Sequence, residues 1–226
     1  MSEGQVRTVK FINGDEVAIE ERDRVLAKIK TLCITRAEAL ADLLDASDRC
    51  DQWGLMGLAI FYADKALDYA DDANMKARCH LRLGALKEKG DDYAGAAALY
   101  AEAFSLESGK DDVWYFLNNN LGYCLNQIGR HGGAEFYCRA AIKIDPKRHN
   151  AYKNLGLALQ GQGRYVEAAR MLICAAELCL VDPRALNHLR ELVTAHREVV
   201  REDPSVLARV EELHRLYDGG RPATVH

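Results

Sequence analysis

Two asparagines stand at the same position of a repeated pattern. Asn120 and Asn154 lie 34 residues apart, and each directly precedes a Leu-Gly pair. A side-chain amide has both donors and an acceptor, so a row of amides can bond the backbone of an extended peptide without reading its side chains. This spacing makes the pair a candidate peptide contact. Two alternatives stay open: amides on a solvated helix surface, and hydrogen bonds between neighbouring helices.

Residues that could serve catalysis or metal binding are dispersed. The seven histidines are spread singly. Cys79 and His80 are adjacent in a predicted helix and cannot both face one metal ion. The Gly-Gln-Gly triplet at 161–163 follows no strand, so it is not a dinucleotide-binding fingerprint. We therefore predict no catalytic residue, no metal site and no cofactor, and we expect that the protein is not an enzyme.

The composition bounds the class of protein. Only 4 of 226 residues are proline, while alanine, leucine, glutamate, lysine and arginine are abundant, which favours helices. A net charge of −4 lacks the basic footprint that nucleic acid requires. No apolar run is long enough to span a membrane, and Met1 to Lys10 has no apolar core of a signal peptide. The seven cysteines contain no Cys-x-x-Cys motif. We expect a cytoplasmic protein that binds neither nucleic acid nor membrane.

An internal repeat is the most specific signal in the sequence. Leu121-Gly122 recurs 34 residues later as Leu155-Gly156, and an earlier copy carries Leu83-Gly84. That earlier copy begins 38 residues before the next, which predicts a short extra turn over 108–112. A weaker copy occupies 40–70. Identities between the two later copies pair Leu125 with Leu159, Gly129 with Gly163, Ala134 with Ala168, and Ala141 with Ala175.

These residues resemble the tetratricopeptide-repeat family. The resemblance implies 34-residue helix–turn–helix units that stack into an all-α superhelix, an alpha solenoid, and a role in protein binding. Mid-helix Gly84, Gly122 and Gly156 each cost on the order of 1 kcal/mol, which is tolerable where helices pack too closely for a side chain. We expect the alanines of the second helix to be their contact points. Gly90, Gly129 and Gly163 should end helices in left-handed conformations.

The ends of the chain differ from the repeats. Asn13-Gly14, flanked by alternating apolar residues, predicts a β-hairpin. One loop residue more than a two-residue turn would place Val9 and Phe11 opposite Ile19 and Val17. A helical run is predicted from Arg22 to Ala46. The predicted segments are a hairpin (1–21), N-terminal helices with a degenerate repeat (22–76), three repeats over 77–182 (77–114, 115–148 and 149–182), capping helices (183–217) and a tail (218–226).

The resemblance implies that the first helix of each pair lines a concave groove. Asn150 and Asn187 recur in register there, as Asn120 and Asn154 do. Arg82, Lys153 and Arg190 would add positive charge that attracts carboxylates, unless they form an ordinary solvated face. The predicted peptide-binding residues are Arg78, Arg82, Asn119, Asn120, Tyr123, Asn150, Lys153, Asn154, Asn187 and Arg190.

Three functions follow from this organisation. The first is a peptide-binding module that holds an extended segment of a protein partner in the groove. The second is a scaffold that self-associates through the hairpin or the cap, which would give a homodimer. The third is a secretion-type chaperone, distinguished by a partner that is unfolded when alone. The fold does not name the partner.

Overall fold

A computed structural model describes residues 8–10, 16–18, 26–27, 35–106 and 112–219. The described chain is all-α apart from two three-residue strands, and it forms two compact units, Met1–Ser108 and Gly109–His226. Its helices are α1 (Arg36–Gln52), α2 (Met56–Leu67), α3 (Ala73–Lys89), α4 (Tyr93–Phe104), α5 (Asp112–Gln127), α6 (His131–Ile144), α7 (His149–Gly161), α8 (Tyr165–Leu178), α9 (Arg184–Ala195), α10 (Glu198–Glu202) and α11 (Ser205–Gly219).

The two strands are antiparallel. β1 (Thr8–Lys10) pairs with β2 (Glu16–Ala18), and Val9 lies opposite Val17. The predicted register, with Val9 opposite Ile19, is therefore displaced by two residues. A register shift of two residues leaves each side chain on the same face of the two-stranded ribbon. The Asn13-Gly14 turn lies outside the described residues.

The predicted helical run over 22–46 is wrong in its continuity. Thr35 is extended (φ −64°, ψ 158°) and caps α1: its side chain accepts from the Glu38 backbone N–H, and the Glu38 carboxylate accepts from the Thr35 N–H. This capping box starts a new helix, which ends at Gln52. Leu26 and Ala27 are helical as well. No glycine or proline marks this break, and its signal in the sequence is the capping pair Thr35 and Glu38.

The first unit packs its helices as antiparallel pairs around one apolar core. Short turns separate α1 from α2 and α3 from α4, and Asp72 and Asp92 cap α3 and α4 through their side chains. Ala59, Ala63 and Ala66 of the weak repeat copy are fully buried on α2. These small residues let α2 approach its neighbours closely, as the repeat pattern predicts.

The mid-helix glycines lie where second helices approach first helices. A Cβ at Gly156 would lie 2.7 Å from Leu172 and 3.2 Å from the Ala168 carbonyl oxygen. A Cβ at Gly84 would overlap the Tyr100 ring. The close approach is confirmed, and Ala134 and Ala168 are contact points of Gly122 and Gly156, as expected. The nearest atoms, however, belong to the side chain sixteen residues after each glycine, and the two alanines contribute only their backbone oxygens.

Left-handed residues end the first helices of the repeats. Gly129 and Gly163 both have φ +76°, as predicted. Gly90 does not: its φ is −91°, and Asp91 takes the left-handed conformation with φ 60°. Asp91 stands in register with the other two glycines, seven residues after Gly84. Aspartate tolerates this conformation better than most side chains do, which explains how the turn survives without glycine.

The second unit contains α5 to α11. Helices α5 and α6, and α7 and α8, form antiparallel pairs, and α9 to α11 follow α8. The core is rich in leucine, and the short helix α10, which the sequence did not predict, docks through the fully buried Val199. None of the helices in the described part of the chain is long and apolar enough to cross a lipid bilayer.

Candidate functional site

Eight of the ten predicted site residues lie on three helices of the second unit. Asn119, Asn120 and Tyr123 are on α5; Asn150, Lys153 and Asn154 are on α7; Asn187 and Arg190 are on α9. Arg78 and Arg82 belong to α3 in the first unit. We therefore define the candidate groove as the predicted side chains of α5, α7 and α9.

A chain of amides joins α5 to α7. The Asn154 side-chain nitrogen donates to Oδ1 of Asn119 at 3.1 Å and faces the Asn119 backbone oxygen at 3.5 Å. The Asn119 side-chain nitrogen donates to Oδ1 of Asn120 at 3.0 Å. Asn119 and Asn154 are buried, whereas Asn120 is half-buried. Of the two alternatives left open, hydrogen bonding between neighbouring helices is what the structure contains at Asn154.

Asn154 has one unsatisfied atom. Its Oδ1 is buried and lacks a hydrogen-bond partner. A buried acceptor without a partner destabilises the folded state by about 1–3 kcal/mol. Such groups are rare in folded proteins and mark positions where another molecule could supply the missing donor.

A second set of polar contacts, which the repeat pattern did not predict, supports Asn154 from the end of α5 and the start of α6. The Asn126 side-chain amide donates to the Asn154 backbone oxygen at 2.8 Å. Its Oδ1 is 3.3 Å from Nδ1 of His131. Because the carbonyl can only accept, Asn126 presents its oxygen to His131, which must then carry a proton on Nδ1. His131 replaces the tyrosine found at the equivalent positions 93 and 165, and this substitution was the signal available in the sequence.

The remaining α5 and α7 residues differ in accessibility. Lys153 is only 8% exposed, so it is not an open cation. Tyr123 and Asn150 are half-buried. The pKa of the Arg184 guanidinium is raised, chiefly by hydrogen bonds to Asp182, against the opposing effect of burial.

A hydrogen-bond network anchors the start of α9 to α7. The His149 Nε2 is 3.0 Å from a carboxylate oxygen of Asp182, which also accepts from the Arg184 guanidinium. The hydrogen bonds from Arg184 hold the pKa of Asp182 well below its usual range; burial opposes them, and His149 adds to the lowering. This network places α9 beside α7 in the second unit.

Helix α9 carries the accessible part of the candidate groove. Asn187 and Arg190 are exposed and line an open pocket of about 500 Å³ together with Glu191, Thr194 and Ala195. Arg190 makes no ion pair with another described residue, so its five N–H donors face solvent. Both residues are exposed groove positions that a ligand can reach directly from solvent.

The two predicted contacts of the first unit have different environments. Arg78 is exposed. Arg82 donates to the Ser47 hydroxyl at 3.0 Å and to the Ser47 backbone oxygen at 2.9 Å, and it pairs with Asp48 and Asp51. Its side chain is only 18% exposed. The Arg82 charge is thus used to hold α3 against α1.

Within the described ranges, no group of three or more His, Cys, Asp or Glu side chains converges in a way that could hold a metal ion.

The repeat pattern is similar to that of known proteins. A family model described as "Tetratricopeptide repeat" matches residues 117–148. The chain is 40% identical over 92 residues to the small glutamine-rich tetratricopeptide repeat-containing protein 2 of Mycosarcoma maydis. That alignment covers 41% of this chain and 24% of the relative, so the chain spans about a quarter of the relative's length.

Solved structures share the architecture at low sequence identity. The Pseudomonas aeruginosa protein PilF aligns with a TM-score of 0.65 and 19% identity, covering 84% of this chain and 79% of PilF. YrrB, described as a TPR protein with an unusual peptide-binding site, aligns with a TM-score of 0.60 and 17% identity, covering 86% of this chain and 95% of YrrB. These likenesses confirm the predicted fold class, an all-α superhelix. Together with the repeat and its glycine contacts, the family model identifies residues 117–148 as a tetratricopeptide repeat.

Proposed function

We propose that this protein is an interaction module that binds an extended peptide segment of another protein along α5, α7 and α9. The observation that carries the proposal is a set of three polar side chains on these helices, at Asn120, Asn187 and Arg190, that keep hydrogen-bonding capacity within the described part of the chain. The Asn120 amide nitrogen makes no hydrogen bond within the described part of the chain, and Asn187 and Arg190 are exposed beside the 500 Å³ pocket. An extended backbone offers a carbonyl oxygen and an N–H at every residue, which such groups can bond.

The surroundings of these groups favour binding with little rearrangement. Hydrogen bonds between Asn119 and Asn154 tie α5 to α7, and the His149–Asp182–Arg184 network positions α9. Because these contacts already hold the helices in place, binding a ligand would cost less conformational entropy of the protein than binding to mobile helices would. YrrB, a protein of similar fold, is described as having a peptide-binding site, which agrees with this use of the architecture. The proposal assigns the protein no catalytic role.

The test is a selection from a phage-displayed library of random twelve-residue peptides. We expect wild type to enrich related sequences and the Asn187→Ala/Arg190→Ala variant to bind a selected peptide at least about tenfold more weakly, because charge-assisted bonds are lost. Arg201→Ala/Arg215→Ala is the matched control, since both arginines are exposed on α10 and α11. Equal binding by the groove variant, or no enrichment, would contradict the proposal.

Self-association through the cap is a second candidate, favoured by exposed apolar side chains in the turn that precedes it and on α11. Val181 is 88% exposed, and Leu180 and Leu216 are 39% and 51% exposed. Leu180 borders a small cavity that it shares with Leu213 and Tyr217 of α11. Light scattering tests this function: a dimer that Val181→Ser/Leu216→Ser converts to monomer would support it, and a monomeric wild type would count against it.

A further inference from the structure

The amide chain between α5 and α7 has one direction only. A backbone carbonyl accepts hydrogen bonds and never donates them, so the Asn154 group that faces the Asn119 carbonyl must be its nitrogen. The same nitrogen donates to Oδ1 of Asn119. With its oxygen occupied there, Asn119 turns its own nitrogen towards Asn120. This orientation follows from hydrogen-bond complementarity, which is how amide orientations are assigned in proteins.

The direction of the chain determines what Asn120 presents. Its Oδ1 accepts from Asn119 at 3.0 Å. Its nitrogen makes no hydrogen bond with another described residue, and Asn120 is half-buried rather than enclosed. A free asparagine can rotate its amide to offer either a donor or an acceptor, but Asn120 cannot do so without breaking the bond from Asn119.

We propose that Asn119 is a positioning residue that fixes Asn120 as a hydrogen-bond donor, so that the groove recognises a carbonyl oxygen of the ligand backbone at this point. The inference rests on the proposed function for its ligand, but the amide chain itself exists without one. Asn119 is buried and touches no ligand; it acts through Asn120. The Arg190 side chain has only hydrogen-bond donors, so it too requires an acceptor on the ligand, further along the groove.

The two ends of the amide chain, Asn154 and Asn120, differ in what they can offer to a ligand. The free atom at Asn154 is an acceptor, and it is buried. The free atom at Asn120 is a donor, and it lies in the half-buried position. A ligand that approaches from solvent therefore meets the donor first.

The first experiment measures hydrogen exchange of the assigned asparagine side-chain amides by NMR at pH 7.5. In wild type, we expect protected protons on Asn119 and Asn154 and freely exchanging protons on Asn120. Asn119→Asp keeps an acceptor for Asn154 but removes the donor to Asn120. Asn120 should then rotate, donate to the new carboxylate and exchange about tenfold more slowly, as expected for a gained charge-assisted bond. Asn150→Asp is the charge-matched control, because Asn150 lies on α7 outside the amide chain.

The results separate cleanly. Rotation of Asn120 in Asn119→Asp, and not in Asn150→Asp, supports the inference. Protection of Asn120 in wild type, or unchanged fast exchange in a folded Asn119→Asp, overturns it. Should Asn119→Asp fail to fold, the wild-type pattern decides: protection at Asn119 and Asn154 but not at Asn120 supports the inference, and any other pattern overturns it.

The second experiment tests the consequence for binding. The probe is a peptide selected on wild type from a random library without acidic residues, acetylated and amidated, so that carbonyl oxygens are its acceptors. We expect Asn119→Asp to weaken binding about tenfold, and Asn120→Ala to weaken it no further in that background. Additive losses would overturn the inference. If the exchange pattern holds but the library yields no binder, the proposed function fails while the role of Asn119 in orienting Asn120 stands.

Discussion

Cys138 packs its sulfur against the backbone of Gly122, so that a Cβ on residue 122 would lie 2.5 Å from Sγ. The same Cβ would lie 3.3 Å from the Ala134 backbone oxygen. Both residues are buried at the contact between α5 and α6. The glycine is therefore required by the distance between two helices, and not by its own backbone conformation.

We predict that Gly122→Ala destabilises the protein by about 1–3 kcal/mol, because overpacking a tight core outweighs the gain in helix propensity. Urea denaturation followed by circular dichroism measures the difference. Gly132→Ala is the control: Gly132 is also helical, but a Cβ there meets nothing within 4 Å. We expect Gly132→Ala to be neutral or stabilising, and equal effects of the two changes would contradict the packing argument.

The Cys138 thiol should be chemically inert in the folded protein. Burial raises its pKa to about 12, which leaves almost no thiolate at pH 8. Iodoacetamide labelling with peptide mass spectrometry should modify the half-buried Cys174 and Cys179 first and Cys138 only after denaturation. Labelling of Cys138 as fast as Cys179 in folded protein would show that the α5–α6 contact opens readily.

Glu135 should make stability depend on acid pH. Burial favours its neutral form, but hydrogen bonds from Gln162, Arg139 and Arg164 outweigh burial and lower the pKa of Glu135 from 4.5 to about 2. A lowered folded-state pKa contributes stability above the unfolded pKa, and that contribution is lost as pH falls from about 4.5 towards 2. The contribution is at most about 3 kcal/mol.

The measurement for Glu135 is the free energy of unfolding between pH 7 and pH 3. We expect Glu135→Gln to be less stable than wild type at pH 7 and to lose less stability on acidification. Glu191→Gln, at an exposed glutamate on α9, should follow the wild-type curve. Parallel curves for Glu135→Gln and wild type would rule out this carboxylate as a source of the pH dependence.

Arg82 should be a stability residue of the first unit. Arg82→Ala removes hydrogen bonds to Ser47 and an ion pair with the largely buried Asp51, for which we expect a loss of about 2–3 kcal/mol. Arg78→Ala, at an exposed arginine on the same helix, should stay within about 0.5 kcal/mol of wild type. Similar thermal stabilities for the two variants would mean that the Ser47 contacts contribute little.

Asn154→Ala should destabilise the second unit by about 1–3 kcal/mol, because it leaves the buried Oδ1 of Asn119 without its donor. Asn150→Ala, at a half-buried asparagine of the same helix, should be nearly neutral. Weaker peptide binding by Asn154→Ala therefore has to be corrected for lost stability, whereas Asn187→Ala does not carry this complication. An unchanged stability of Asn154→Ala would contradict the bond between α5 and α7.

Local sequence was sufficient to predict most of the helices. The capping helices predicted over 183–217 include α9, which has apolar residues at helical spacing and a proline directly before it. The start of α1 at Thr35 was also readable as a capping box, and it was missed. Helix α10 could not be predicted, because five residues are too few to show a helical periodicity. Its position depends on a tertiary contact, the burial of Val199.

The sequence by itself determined the repeat, the glycines at close helix contacts and the polar positions of the first helices, since each depends on residues a fixed number of positions apart. Tertiary structure decided which polar groups stay available. Arg82 and Arg190 both belong to the predicted lining, yet one is paired with α1 and the other is exposed. The cause is physical: a side chain's hydrogen-bond partners come from neighbouring helices, and sequence spacing does not specify the distance between those helices.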